Sequence, residues 1–216
     1  RASALTPHRP HLSVARTPLV QAAQMATATI VPHVSEGAYL LGERDAAQRH
    51  EYLNGELVAM SGGSRAHNLL ATRVARLLGN HLEAGPCRVY QSDMKVRVEA
   101  ANRYYYPDVM VCCGPVEAEP DPYYETAPSL IVEVLSPRTA ANDDGERRVN
   151  YQSLPSLDEY LLLNPDTGEG TLYRRGGAFW TRIQVDLGDP LELRSIGLQA
   201  TMAWLLGSSG AGTGAS

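Results

Sequence analysis

Two short hydrophobic runs, each interrupted by a single carboxylate, constrain this chain more than any other feature. Residues 104–113 read YYYPDVMVCC and residues 129–135 read SLIVEVL. Their length and their content of β-branched and aromatic residues predict buried strands. Asp108 follows Pro107 near the start of the first run, and Glu133 sits near the end of the second. A charge in a strand core costs several kcal/mol unless it is paired or binds a metal. Two such charges on runs that read as neighbouring strands point to a shared cation, or else to a separate arginine for each.

The remainder of the chain limits what those strands can belong to. At 216 residues and 44% hydrophobic, it has material for one full core with appendages, which predicts a single domain. Nothing approaches the roughly 18 consecutive apolar residues of a membrane-spanning helix. The formal charge of -5 speaks against a general polyanion binder, though a local arginine cluster could still supply phosphate contacts. Of the three cysteines two are adjacent, Cys112 and Cys113, and none has metal-ligand spacing. That usage predicts a reducing cytoplasm, with the thiols as small core residues rather than zinc ligands or a disulfide frame.

In chain order, residues 1–34 read as a disordered leader or an appended segment, with Ala, Thr, Pro, His and Arg but no acid. Ser35 is placed to cap a short helix with Tyr39 and Leu40 inward. Asn54-Gly55 predicts a β-hairpin in which Leu53 pairs with Glu56 and Glu51 with Val58, so that Glu51 and Glu56 share a face and both could approach one cation. A helix follows over 66–83, with Leu70, Val74, Leu77 and Leu78 inward, Arg65, Arg73 and Arg76 on the other side, and His67 at its start on the inner side. Residues 88–98 alternate as one half-buried strand. Residues 114–128 are an irregular connection. Residues 142–153 read as a helix with Val149 inward, carrying Arg147, Arg148 and Tyr151. A strand over 157–163, a hairpin over 171–185, a closing helical turn over 201–206 and a flexible tail over 207–216 complete the pattern.

The ordered set RHEYLNGE (49–56), HNL (67–69), YPDV (106–109), IVEVLSP (131–137), DDGER (143–147), Tyr151 and PSLDEYL (155–161) resembles the Uma-type restriction endonuclease family of the PD-(D/E)XK nuclease superfamily. The resemblance runs from about Ser35 to Ala200. It implies an α/β (α+β) restriction-endonuclease-like domain over 35–206: a mixed central β-sheet flanked by helices, with an N-terminal β-hairpin. It implies a DNA endonuclease that hydrolyses phosphodiester bonds with Mg2+, or Mn2+, held by Asp108, Glu133 and the carbonyl of Val134. Two carboxylates suit Mg2+, which takes oxygen ligands and keeps several waters. The resemblance also implies a homodimer, and neither a membrane nor an organic cofactor.

The superfamily's lysine two residues after the glutamate is absent, since Leu135 stands there. The resemblance places the cation on the following helix instead, where Arg147 holds the place of a lysine. A guanidinium stays protonated to about pH 12 and cannot act as a base, but it can hold a phosphate by two hydrogen bonds. Arg147 is therefore assigned to charge stabilisation, with Arg148 as its substitute. Glu51 is the further metal or water contact, with Glu56 next, and His67 is a neighbour of the site. Two other functions fit the same residues: a nucleic-acid-binding module of this fold without turnover, and a structural protein whose carboxylates are merely salt-bridged.

Overall fold

The computed structural model describes residues 33–115, 121–137 and 139–207. The leader up to residue 32, the centre of the 114–128 connection and the tail from residue 208 lie outside the described residues.

The chain enters through helix α1 (Glu36–Arg44), capped by the Ser35 side chain. Its buried Tyr39 stacks on Tyr52 at 5.1 Å and tilts against Tyr104. Strands β1 (His50–Leu53) and β2 (Glu56–Ala59) pair antiparallel, with Glu51 opposite Val58 and Leu53 opposite Glu56. The turn between them puts Asn54 and Gly55 at positive φ, the geometry that favours these two residue types. Helix α2 (Arg65–Leu82) is capped by Ser64 and buries Leu70, Ala71, Val74, Leu77, Leu78 and Leu82 along one stripe, as its spacing requires.

Two expected strands are each broken in two. Residues 88–98 divide into β3 (Arg88–Gln91) and β4 (Lys95–Val98), and residues 103–112 into β5 (Arg103–Tyr105) and β6 (Val109–Cys112). β3 pairs with β6 and β4 with β5, in different sheets. The break lies at one level in both: Ser92 takes a positive φ of 41°, and its amide donates to the Asp108 carbonyl. Next to Asp108 stands Pro107, which has no N–H for a ladder. Asp108 thus lies at the crease between two sheets rather than inside a continuous strand.

The remaining elements are β7 (Tyr124–Glu125), β8 (Leu130–Val134), α3 (Ala140–Asp143), α4 (Glu146–Gln152), β9 (Glu159–Leu163), β10 (Gly170–Gly176), β11 (Phe179–Val185), β12 (Pro190–Leu193), β13 (Leu198–Thr201) and α5 (Met202–Leu206). Among the described residues one sheet has the order β2-β1-β5-β4-β7 and a second the order β11-β10-β9-β8-β6-β3, while β12 and β13 pair separately. β8 and β9 run parallel, as do β4 and β7, and the other pairs are antiparallel. The architecture is mixed α+β with helices flanking the sheets.

Alternation along the second sheet sorts its two faces. Val109, Val111, Leu130, Val132 and Val134 pack with the apolar stripe of α2. Met110, Cys112 and Ile131 face the other way, against Tyr151, Leu154, Leu157 and Tyr160. The expected 142–153 helix is interrupted at Asp144-Gly145, and its inward residue is Tyr151, fully buried, whereas Val149 is 57% exposed. Cys87 and Cys113 form a disulfide between the start of β3 and the end of β6, correcting the expectation of unlinked thiols. The register explains it: Arg88 lies opposite Cys112, which makes Cys87 and Cys113 the next facing pair. Cys112 is buried in the core. Among the described residues no helix is long and apolar enough to cross a membrane.

Candidate active site

The site forms where β8 ends, the β5–β6 crease passes and helices from both faces converge. Asp108 and Glu133 lie on the sheet face that carries Met110 and Ile131, because each is separated from that neighbour by one residue. They grip one another's backbone. The Asp108 amide donates to Glu133 Oε2 at 3.1 Å, and the Val134 amide donates to Asp108 Oδ2 at 2.8 Å. Glu133 Oε1 accepts from the Tyr151 hydroxyl at 3.0 Å and from Arg147 at 3.4 Å.

Arg147, on α4, draws two further carboxylates into the cluster. Its Nη2 donates to Glu51 Oε2 at 2.8 Å, and its Nε lies 3.3 Å from Asp143 Oδ1 without hydrogen-bond alignment. The guanidinium also lies over the Tyr105 ring at 4.8 Å. Glu51 reaches this point from β1, where the Tyr106 amide contacts its Oε1 at 3.5 Å. From the opposite side His67, on the first turn of α2, brings Nε2 to 3.1 Å from Asp108 Oδ2.

Glu51, Glu133, Asp143 and Arg147 are all buried, and the charges do not balance. Among the described residues, four carboxylates face one permanent cation, Arg147, and one imidazole. Burial pushes the Glu51, Glu133 and Asp143 carboxyls above their ordinary range, Glu133 furthest, with the charge of Asp108 adding to the effect there. Arg147 opposes each shift. Burial also disfavours the guanidinium's own charge, but Tyr151, Glu133, Glu51 and Asp143 hold it firmly protonated. The Asp108 carboxylate, against the opposing effect of burial, raises the His67 pKa. Elsewhere the fold shows what a self-sufficient buried carboxylate looks like: Glu159 accepts from Arg174 at 2.8 Å and from the Ser195 amide and hydroxyl. Among the described residues, the cluster around Arg147 instead has an excess of carboxylate oxygens.

That donor set fits a hard divalent cation. Mg2+ is held by one or two carboxylates and keeps much of its water, which matches Asp108 and Glu133 side by side. Among the described residues no group of three or more His, Cys, Asp or Glu side chains is placed to hold a metal ion, so waters or a phosphate oxygen would have to fill the positions beyond two carboxylates.

Of the residues singled out in the sequence, the structure brings Asp108, Glu133, Val134, Arg147, Glu51 and His67 together. It does not bring Glu56 or Arg148. Glu56 shares the face of Glu51 on the paired strands but stands exposed at the turn end. Arg148 points away, bonded to the Asp144 carbonyl and Gln152 and lying over Tyr173. Two cluster residues had no role assigned from sequence. Asp143 was detectable by its i,i+4 spacing to Arg147; Tyr151 lies four residues beyond Arg147 on the same helix face.

Residues 38–203 match the family model Uma2, described as "Putative restriction endonuclease". The chain is 38% identical over 168 residues to the protein slr1290 of Synechocystis, covering 77% of this chain and 88% of that one. It is 35% identical over 127 residues to sll1609 of the same organism, covering 58% and 72%. Both relatives are described as uncharacterised. A crystal structure from Anabaena variabilis, described as "a putative nuclease belonging to DUF820", matches with a TM-score of 0.61 over 75% of this chain and 92% of that one. At 14% identity that likeness is one of fold.

Proposed function

The chain belongs to the Uma2 family, and on that premise we propose that it is a divalent-metal-dependent nuclease that hydrolyses DNA phosphodiester bonds at the cluster around Asp108 and Glu133. The observation that supports this reading is the charge imbalance: among the described residues, Glu51, Asp108, Glu133 and Asp143 converge with Arg147 as the one permanent counter-charge. Asp108 and Glu133 would hold Mg2+ or Mn2+, with the Val134 carbonyl beside them. When bound, the metal supplies Lewis acidity for a water and for the charge that builds on the scissile phosphate.

The protein's own groups orient that chemistry. Two backbone amides and the Tyr151 hydroxyl fix the Asp108 and Glu133 carboxylates, so little reorganisation is left for the moment of reaction. Arg147 cannot abstract a proton at neutral pH. Its donors are directed at Glu51 and Glu133, with Asp143 in ion-pair range, which suits a positioning residue that keeps the carboxylates ionised and aligned. In the hydrolysis a water oxygen bonds to phosphorus, a bridging P–O bond breaks, and the leaving oxygen takes a proton.

Incubation of purified protein with supercoiled plasmid tests this. Nicked and linear DNA forms with Mg2+ or Mn2+ and not with EDTA. A binding module without turnover is the second reading, favoured by the arginine at the lysine's place; it requires DNA retention without nicking under every metal condition. Homodimerisation, which would place two sites on one duplex, belongs to the same proposal and is read from the mass in solution.

A further inference from the structure

His67 lies where a cation would be expected. Its Nε2 is 3.1 Å from Asp108 Oδ2, the oxygen already held by the Val134 amide. The ring also interacts with the Val134 backbone and feels the negative charge of Asp143. It thus stands beside Asp108 Oδ2 and the backbone at Val134, two of the three groups proposed to hold the metal.

The ring is seated by the local backbone. A Cβ on Gly63 would come 2.8 Å from His67 Nδ1, so a side chain at residue 63 would press on the ring in this position. Gly62 has open space where its Cβ would be. The ring is on the first turn of α2 with its side chain 19% exposed, and a rotation about χ1 is a small, fast motion for a partly exposed side chain. Imidazole nitrogen is also a poor match for hard cations such as Mg2+ and Mn2+, which prefer oxygen.

We propose that the His67 ring occupies the metal's place in the resting site, and that a divalent cation must displace it to reach Asp108 and Val134. This rests on the metal-dependent reading above and adds a competitor to it: His67 sets the metal concentration at which the site fills. A ligand role would have the opposite sign, since its removal would weaken binding.

The test is direct Mn2+ binding to the full chain at neutral pH, by calorimetry or by the loss of free-ion EPR signal, for wild type, His67→Ala and His67→Ala combined with Asp108→Asn. Loss of a charge-assisted contact that the metal must otherwise break is expected to tighten Mn2+ binding about ten- to a hundredfold in His67→Ala. Asp108→Asn is expected to abolish that gain. In nitrogen-15 spectra of the wild type, added Mg2+ is expected to move the His67 Nε2 signal to the position of a solvent-exposed imidazole. Equal or weaker Mn2+ binding by His67→Ala overturns the inference and leaves the nuclease reading intact. Absence of Mn2+ binding in both wild type and His67→Ala overturns the inference and the metal-dependent reading together.

Discussion

Asp108 and Glu133 each accept a hydrogen bond from the backbone at the other: the Asp108 amide donates to Glu133, and the Val134 amide donates to Asp108. Two like charges are locked side by side by the ladder that joins β6 to β8, and the energetic consequences spread from there.

Removal of Arg147 leaves Glu51, Glu133 and Asp143 without their shared cation. Arg147→Met is expected to destabilise the metal-free protein by about 3–5 kcal/mol, the usual result of breaking a buried ion pair from one side. Urea unfolding in EDTA checks this. Added Mg2+ is expected to recover more stability in the variant than in wild type, and a variant as stable as wild type without metal would show that the carboxylates do not depend on Arg147.

The raised carboxyl groups give a definite sign to pH dependence. Folding raises the pKa of Glu51 and Glu133 above 4.5 and that of Asp143 above 3.8. Above those values the folded state therefore holds more protons than the unfolded chain. Their contribution to stability is full below the ordinary values and is lost as pH rises through the folded ones. His67, raised above 6.5, acts in the same direction. Melting temperature in EDTA is expected to fall from mildly acidic to mildly alkaline pH, with a shallower fall in Glu133→Gln and in wild type with Mg2+. A melting temperature that rises over that range in EDTA contradicts this account.

Glu51 and Glu56 separate position from proximity in sequence. Glu51→Gln removes an Arg147 partner and is expected to lower DNA cleavage about ten- to a hundredfold, as loss of an outer-shell carboxylate does. Glu56→Gln, exposed and remote from Arg147, is expected to change neither cleavage nor stability beyond about 0.5 kcal/mol. Equal losses in both variants would argue for a different site.

The Cys87–Cys113 disulfide closes a segment of sequence separation 26 that contains the crease at Ser92 and Asp108. Reduction, or Cys87→Ser, is expected to cost about 2–4 kcal/mol. Thermal scans with and without reductant on wild type and Cys87→Ser read the effect directly. No difference between oxidised and reduced wild type would mean that the bridge adds nothing to the fold.

Some of this arrangement is legible in the residues because it is local. Asn54-Gly55 specifies its own turn, and the turn fixes which residue faces Glu51. Asp108 and Glu133 stand out because a carboxylate in an apolar run is costly unless a cation or a donor meets it. The α2 stripe follows from spacing alone. What is not legible depends on partners distant in sequence. Alternation over 88–98 and the apolar run over 104–113 predict strands without saying which sheet they join, so they do not reveal the crease at Ser92 and Pro107, nor the placement of Asp108 between sheets. The facing of Cys87 and Cys113 is a matter of register between β3 and β6. Val149, expected inward, is exposed and Tyr151 is buried, because the helix breaks at Gly145, which resets the phase of its inward face. Glu56 shares the face that leads to the site and is excluded from it by distance along the strand.

The most direct measurement is the rate at which purified protein nicks supercoiled plasmid in Mg2+ or Mn2+, compared with EDTA and with a folded Asp108→Asn variant. Cleavage by wild type is expected only with metal, with a loss of about a thousandfold or more in Asp108→Asn. Cleavage that persists in EDTA, or that survives Asp108→Asn at the wild-type rate, would contradict the metal-dependent reading.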